Sequence, residues 1–182
     1  MLPIKIEDCE FFDERTQSFL TVKGQTLQLE HSLVSISKWE SKWKKPFLST
    51  EHRTQEETKD YIRCMTITQN VNPLLYDLIT PKQIEEINAY MNDSMTATTI
   101  AKPEGKGIGN NGKNITSEEI YYYMDEYRIP PEYQKWHFNR LMTLIRIHNE
   151  KNKPKKKMRK GDTARRYRAL NAKRRARYGS KG

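Results

Sequence analysis

Residues 25–43 read QTLQLEHSLVSISKWESKW, and within this stretch the spacing of the apolar residues changes. Leu27 and Leu29 alternate with polar neighbours, which is the period of a strand with one buried face. From Leu29 onward the apolar residues follow a helical spacing of three or four positions: Leu33, Ile36, Trp39 and Trp43. The stretch therefore predicts an α+β fold, in which a short β region precedes a mainly helical one.

The segment before this stretch also predicts strands, over about residues 2–29. Apolar residues alternate with others from Leu2 to Ile6. Two apolar pairs, Phe11-Phe12 and Phe19-Leu20, flank the polar run Asp13-Glu14-Arg15-Thr16, which is typical of a turn between two strands. We predict a short hairpin or meander here.

The remaining body, about residues 30–150, is predicted to be helical. Thr54–Glu57 matches a capping box, in which a threonine oxygen caps a helix and a glutamate reaches back to it. Asn72-Pro73 and Thr80-Pro81 each place a capping side chain before a proline that suits the first helical position. Each of these motifs predicts the start of a helix.

The second half of the helical region is interrupted by glycines. Residues 94–114 contain four glycines and no periodicity, which predicts a long mobile loop. Thr116–Glu119 is another capping box and predicts the next helix. A final helix is predicted over residues 131–150, with Trp136 on its apolar side.

The charge divides the chain into two parts. The 182 residues include 33 Lys and Arg and 23 Asp and Glu, for a net charge of +10. Residues 151–182 hold 15 of the basic residues and one acid, whereas residues 1–150 carry a net charge of −4. We therefore predict a folded body over 1–150 and a basic, flexible or helical tail over 151–182.

Several classes of protein are excluded by composition. No stretch approaches about 18 consecutive apolar residues, so we expect no membrane span and no membrane partner. The N-terminus has no basic region followed by an apolar core, so we expect no secretory signal. The two cysteines, Cys9 and Cys64, cannot form a disulfide framework, which favours a reducing cytosol.

No motif in the sequence indicates an enzyme or a bound cofactor or metal. Residues 107–113 match the spacing of a phosphate-binding loop, but no buried strand precedes them. Asn114 also stands where such a loop has a magnesium-binding Ser or Thr. The four histidines, at 31, 52, 137 and 148, have no metal-ligand spacing. We predict a non-enzymatic protein without a cofactor.

Aromatic residues are concentrated in the helical part. Three consecutive tyrosines cannot all point inward from one helix, because successive residues are ~100° apart. At least one should therefore be exposed, and tyrosine and tryptophan are enriched in protein interfaces. The candidate partner-binding residues are Trp39, Trp43, Tyr121, Tyr122, Tyr123, Tyr127 and Trp136. The alternative is that they are core residues.

Arginines are concentrated in the tail. The candidate polyanion-binding residues are Arg165, Arg166, Arg168, Arg174, Arg175 and Arg177. They could bind nucleic acid through its phosphates, bind an acidic protein, or keep the chain in solution. No zinc module or base-reading motif distinguishes these alternatives.

Four segments resemble a known family. They are LQLEHSLVSISKWESKWKKPFL at 27–48, DYIRCMTITQ at 60–69, MTAT at 95–98 and KWHFNRLMTLIRIHNEKN at 135–152. Together they resemble the tail assembly chaperones of long-tailed bacteriophages. The resemblance implies a factor of the host cytoplasm that binds the phage tape measure protein and helps to recruit the major tail protein. It leaves self-association open. The alternative is a phage structural or nucleic-acid-associated protein that binds DNA or RNA through its tail.

Overall fold

The computed structural model describes residues 1–13, 17–49, 52–99, 114–152 and 160–179. By its internal contacts the chain divides into two units, Met1–Asn149 and Glu150–Gly182. Short strands precede a mainly helical region, so the predicted α+β class is confirmed. The centre of the predicted turn at 13–16, most of the predicted loop at 94–114, and the glycine-lysine motif at 107–113 lie outside the described residues.

The four strands of the described residues form two small antiparallel sheets. They are β1 (Leu2–Lys5), β2 (Cys9–Asp13), β3 (Ser18–Val22) and β4 (Thr26–Leu29). Strand β1 pairs with β4, and β2 pairs with β3. In the sequence, the β2–β3 hairpin therefore lies between the two strands of the β1–β4 pair. The pairing therefore differs from a meander, in which each strand would pair with the next one.

A close approach at Gly24 accounts for the nesting. Its backbone N–H donates to the Asp8 carboxylate at 2.6 Å, and the Ile6 N–H donates to the Gln25 carbonyl at 3.1 Å. A Cβ at Gly24 would lie 2.2 Å from the Ile6 carbonyl oxygen, which no side chain allows. The chain therefore continues from one sheet into the other at this point.

The helices follow β4. They are α1 (Leu33–Trp43), α2 (Gln55–Met65), a 3-10 helix (Pro73–Leu78), α3 (Pro81–Asn92), α4 (Ser117–Glu126), a second 3-10 helix (Pro131–Lys135), α5 (Phe138–Asn152) and α6 (Lys160–Tyr178). Leu29, predicted to begin the first helical face, is instead the last residue of β4. The helix begins later because Ser32 caps it, accepting a hydrogen bond from the Ser35 N–H.

The main core lies between α1 and α2. The residues of α1 at helical spacing, Leu33, Ile36 and Trp39, are buried, as the sequence predicted. Strand β4 is linked to the end of α2, because Glu30, the residue that follows β4, donates its backbone N–H to the Met65 carbonyl at 2.9 Å. The short β region and the helices therefore share one core.

All four predicted helix starts are confirmed. Thr54 and Thr80 form capping boxes, and Asn72 caps the first 3-10 helix. Thr116 is the residue before α4, as predicted, but the capping box expected there is wrong, because Thr116 makes no side-chain capping bond. A distant carboxylate occupies that place instead: the Ser117 N–H donates to Glu40 Oε2 at 2.8 Å.

The last helix of the body is also interrupted, contrary to the prediction of one helix over 131–150. The 3-10 helix ends before Trp136, and α5 begins only at Phe138. The break occurs because His137 forms an isolated β-bridge with Ser32, and the Phe138 N–H donates to the His31 carbonyl at 2.7 Å. Trp136 therefore lies outside the helix on which the sequence placed it.

Glu40 links two parts of the chain that are far apart in sequence. Its side chain is 7% exposed, and its Oε1 accepts a hydrogen bond from the Phe47 N–H at 2.7 Å. Its Oε2 accepts from Ser117, at the N-terminus of α4. A carboxylate is favoured there, because the first N–H groups of a helix have no partner within the helix and carry partial positive charge.

Replacing Glu40 with Ala should lower the free energy of unfolding by about 2–4 kcal/mol, because two buried N–H groups lose a charged acceptor. Equilibrium urea unfolding measures the loss. Glu86→Ala, at an exposed position of α3, is the matched control and should change stability by less than about 0.5 kcal/mol. Equal stability of the two variants would contradict the role given to Glu40.

Candidate interaction surfaces

Trp39 is a core residue, so its prediction as a partner-binding residue is wrong. Its side chain is 2% exposed, and its Nε1–H donates to the Glu57 carbonyl at 2.9 Å. The reason is its helical register, which places it on the same face as the buried Ile36. An aromatic side chain on a buried face contributes to packing and cannot reach a partner.

Trp43 is half-buried at the end of the same face. Its ring stacks on Trp39 with centroids 6.2 Å apart, and its Nε1–H donates to Asp60 Oδ2 at 2.9 Å. Burial alone would raise the pKa of Asp60, but hydrogen bonds from Lys42 and Trp43 lower it below its ordinary value. The polar edge of Trp43 is therefore held within the body.

The three consecutive tyrosines of α4 divide as expected. Tyr122 is 65% exposed, while Tyr121 and Tyr123 are half-buried. The Tyr121 hydroxyl donates to Gln134 Oε1 at 3.0 Å. The prediction that at least one of the three is exposed is confirmed, and Tyr122 is the one that a partner can contact most fully.

The other two aromatic candidates pack against α5. Tyr127 stacks on the His148 ring at a centroid distance of 5.3 Å. Trp136 is half-buried and stacks on Tyr133 at 3.9 Å, with the Arg140 guanidinium 4.1 Å from its centroid. Both rings keep part of their surface exposed while fixing the second 3-10 helix and α5 to their neighbours.

The β2–β3 hairpin carries an exposed aromatic pair that was not among the predicted site residues. Phe12 and Phe19 are direct cross-strand partners, are 55% and 70% exposed, and have ring centroids 5.3 Å apart. The period-2 pattern of the two strands was the available signal, since paired residues share a face. Val22 is three residues after Phe19, so it lies on the opposite face of the hairpin, where it is buried.

The predicted polyanion-binding arginines lie on one helix, α6. All six are exposed, and the described side chains of this helix from Ala164 onward are exposed as well. The Arg177 guanidinium lies 5.7 Å from the Tyr178 ring. The helix therefore presents cationic groups around its circumference, with no continuous apolar face.

Two histidines meet inside the body. The rings of His31 and His137 are 5.3 Å apart, and His31 Nδ1 lies 2.5 Å from the Tyr61 hydroxyl oxygen. His137 Nε2 bonds to the Tyr90 carbonyl at 3.0 Å, while its Nδ1 is buried without a partner. Within the described residues, no group of three His, Cys, Asp or Glu side chains is arranged to hold a metal ion.

Burial keeps these histidines neutral. It lowers the pKa of His31 to about 3, with the nearby His137 and Arg53 charges acting in the same direction. Burial also lowers the pKa of His137, although its bond to the Tyr90 carbonyl opposes that effect. In the unfolded chain both imidazoles would bind protons near their ordinary pKa of ~6.5.

Acidification from pH 6.5 to 5 should therefore destabilise the protein, because the unfolded chain takes up protons that the folded chain excludes. For His31 the loss is at most about 2 kcal/mol over this interval. Urea unfolding at stepped pH measures it. His31→Asn should flatten this dependence, whereas His52→Asn, at an exposed position, should leave it intact. An unchanged slope in His31→Asn would contradict the assignment.

No family model matches the chain, and neither the curated proteins nor the solved structures gave a match. Among the helices of the described residues, none is both long enough and apolar enough to cross a bilayer. Function must therefore be argued from the surfaces themselves and from the resemblance of the four segments.

Proposed function

We propose that this protein is a non-enzymatic tail assembly chaperone of a long-tailed bacteriophage. It would bind the tape measure protein in the host cytoplasm and help to recruit the major tail protein. The proposal starts from the resemblance of the segments at 27–48, 60–69, 95–98 and 135–152. The structural observation that supports it best is the exposed pair of Phe12 and Phe19.

An exposed phenylalanine pair is suited to capturing an apolar segment. Phenylalanine has no polar atom, so leaving two adjacent rings in water forgoes the stabilisation that burial would give them. Phe12 and Phe19 already stand in an edge-to-face arrangement on a paired hairpin. A tape measure protein, as a long helical chain, would offer apolar stripes that these two rings can cover.

The rest of the body supports this role by holding the hairpin on a folded base. The close approach at Gly24 links the β2–β3 hairpin to β1 and β4, and β4 is linked to α2 by backbone hydrogen bonds. The two phenylalanine rings are therefore held in place before the client, the tape measure protein, binds. This reduces the entropy cost of binding. Such a binding surface would shield the client's apolar stripe during assembly.

Co-expression with the tape measure protein tests the proposal. The unaltered chain should keep the client soluble and co-purify with it, and the double change Phe12→Ser and Phe19→Ser should reduce capture at least tenfold. Thermal unfolding should change little, since both rings are exposed. The matched control is Ile67→Ser with Leu74→Ser, two exposed apolar residues elsewhere on the body, which should retain capture.

Two results would overturn the proposal. The first is a client that stays insoluble and does not co-purify with the unaltered chain. The second is equal capture by the hairpin variant and the control variant, which would remove the hairpin as the binding surface. Both client yield and the co-purified ratio should be quantified.

A second candidate function is nucleic-acid binding through α6. The observation that favours it is the exposure of cationic side chains around the whole helix, which suits contacts with phosphates on either side of a groove. Such binding would be mainly electrostatic and would weaken steeply as the salt concentration rises.

Fluorescence anisotropy with a 20-base-pair DNA and a matched RNA at ~150 mM salt tests this alternative. Sub-micromolar binding that is lost on changing Arg165, Arg166 and Arg168 to Gln would support nucleic-acid binding. Because we favour a protein partner, we expect affinity weaker than about 10 μM, within the range of non-specific binding. Glutamine is an unbranched residue that also favours helices, so these changes remove charge without breaking the helix.

A further inference from the structure

A cavity of about 550 Å³ opens along one side of α5. Phe138, Met142 and Arg146 follow one another at intervals of four residues on that side, so they form a row along the helix. Further lining residues come from the end of α3, the segment before α4, and Leu48. The volume lies in the range of cavities that hold small ligands, ~300–1,000 Å³.

The row gives the cavity two chemically different ends. Phe138 is buried and Met142 is half-buried, and Ile115 and Leu48 are the other apolar lining residues. Arg146 lies at the far end of the row and is the only charged side chain among the described residues that line the cavity. No described acid forms an ion pair with its guanidinium. A ligand that joins an apolar group to one negative charge would therefore match both ends.

The spacing within the row sets the dimensions of the ligand. Four helical residues rise ~6 Å, so the position of Arg146 lies about that far along the helix axis from the position of Met142. In an extended peptide, residues i and i+2 point to the same face and lie ~6.6 Å apart. An apolar side chain at Met142 and a carboxylate at Arg146 therefore match two peptide residues separated by one other.

The rest of the lining consists of neutral amides and hydroxyls: Asn92, Ser94, Asn114, Asn139 and Thr143. Asn139 donates from Nδ2 to the carbonyls of Met91 and Asp93, at 2.9 and 2.6 Å, which leaves its Oδ1 as an acceptor. Such groups suit a peptide backbone, because each peptide bond offers one donor and one acceptor. A hydrocarbon chain would leave them unpaired, and a nucleoside triphosphate carries more negative charge than one arginine balances.

We propose that this cavity binds an extended peptide segment of a partner protein, in which an apolar residue and an aspartate or glutamate are separated by one residue. The apolar side chain contacts Phe138 and Met142, and the carboxylate accepts hydrogen bonds from the Arg146 guanidinium. The neutral side chains of the lining bond to the backbone of the segment. The site shares no residue with the hairpin, so this inference does not depend on the tape measure proposal.

Titration of the isotope-labelled full chain with short peptides, followed by NMR, tests the proposal. The probe is acetyl-Gly-Leu-Ser-Asp-Gly-amide, which should shift the amide signals of residues 138–146 in a saturable way, with a Kd below about 1 mM. Acetyl-Gly-Leu-Ser-Asn-Gly-amide lacks the charge. Acetyl-Gly-Leu-Asp-Ser-Gly-amide has the same composition as the probe but directs its leucine and aspartate to opposite faces. Each of these two peptides should bind at least tenfold more weakly than the probe.

Variants of Arg146 test the cationic end of the cavity. Arg146→Gln should weaken binding of the probe at least tenfold, whereas Arg146→Lys keeps the charge and should retain the affinity within about threefold. The matched control is Arg140→Gln, which removes an exposed arginine from another side of α5 and should leave the affinity unchanged. All three variants should keep a cooperative thermal transition, because both arginines are exposed.

Three results would overturn the proposal. One is the absence of saturable shifts in residues 138–146 at probe concentrations up to about 5 mM. Another is equal affinity for the aspartate and asparagine peptides, or an unchanged affinity in Arg146→Gln. The third is octanoate that binds as tightly as the probe, since that would assign the cavity to a hydrocarbon carboxylate. The double change Phe12→Ser and Phe19→Ser should leave probe binding intact, which separates this site from the hairpin.

Discussion

The buried carboxylate of Glu40 is the interaction on which the arrangement of the helical body depends. It accepts hydrogen bonds from the backbone at Phe47 and at Ser117, two points 70 residues apart. These two bonds hold the segment after α1 against that helix and supply an acceptor to the N-terminus of α4. The orientation of α4 determines which of its tyrosines is exposed, so one carboxylate decides the position of Tyr122.

The structure separates the aromatic residues by role. Trp39 and Tyr61 belong to the core between α1 and α2, and their polar atoms are bonded within it. Phe12, Phe19 and Tyr122 are exposed on two different elements, a hairpin and a helix. Exposed rings of this kind are typical of surfaces that bind other chains.

The sequence predicted the features that depend on local spacing. The change from alternation to helical period after Leu29, the caps at Thr54 and Thr80, and the exposure of one tyrosine in α4 all follow from short-range geometry. The errors have long-range causes. The cap of α4 comes from Glu40, and the break before Phe138 comes from Ser32. Neither partner can be identified from the residues beside these positions. Trp39 differs, because its helical register with Ile36 was already visible in the sequence.

Hydrogen–deuterium exchange of the full chain, with and without bound tape measure protein, separates a preformed binding hairpin from one that folds on binding. We propose that a preformed body presents the hairpin to the tape measure protein. Binding should therefore slow amide exchange in β2 and β3, while α1 and α2 are already protected in the free chain and change little. Protection that first arises throughout the body on binding, or none in the hairpin, would contradict it.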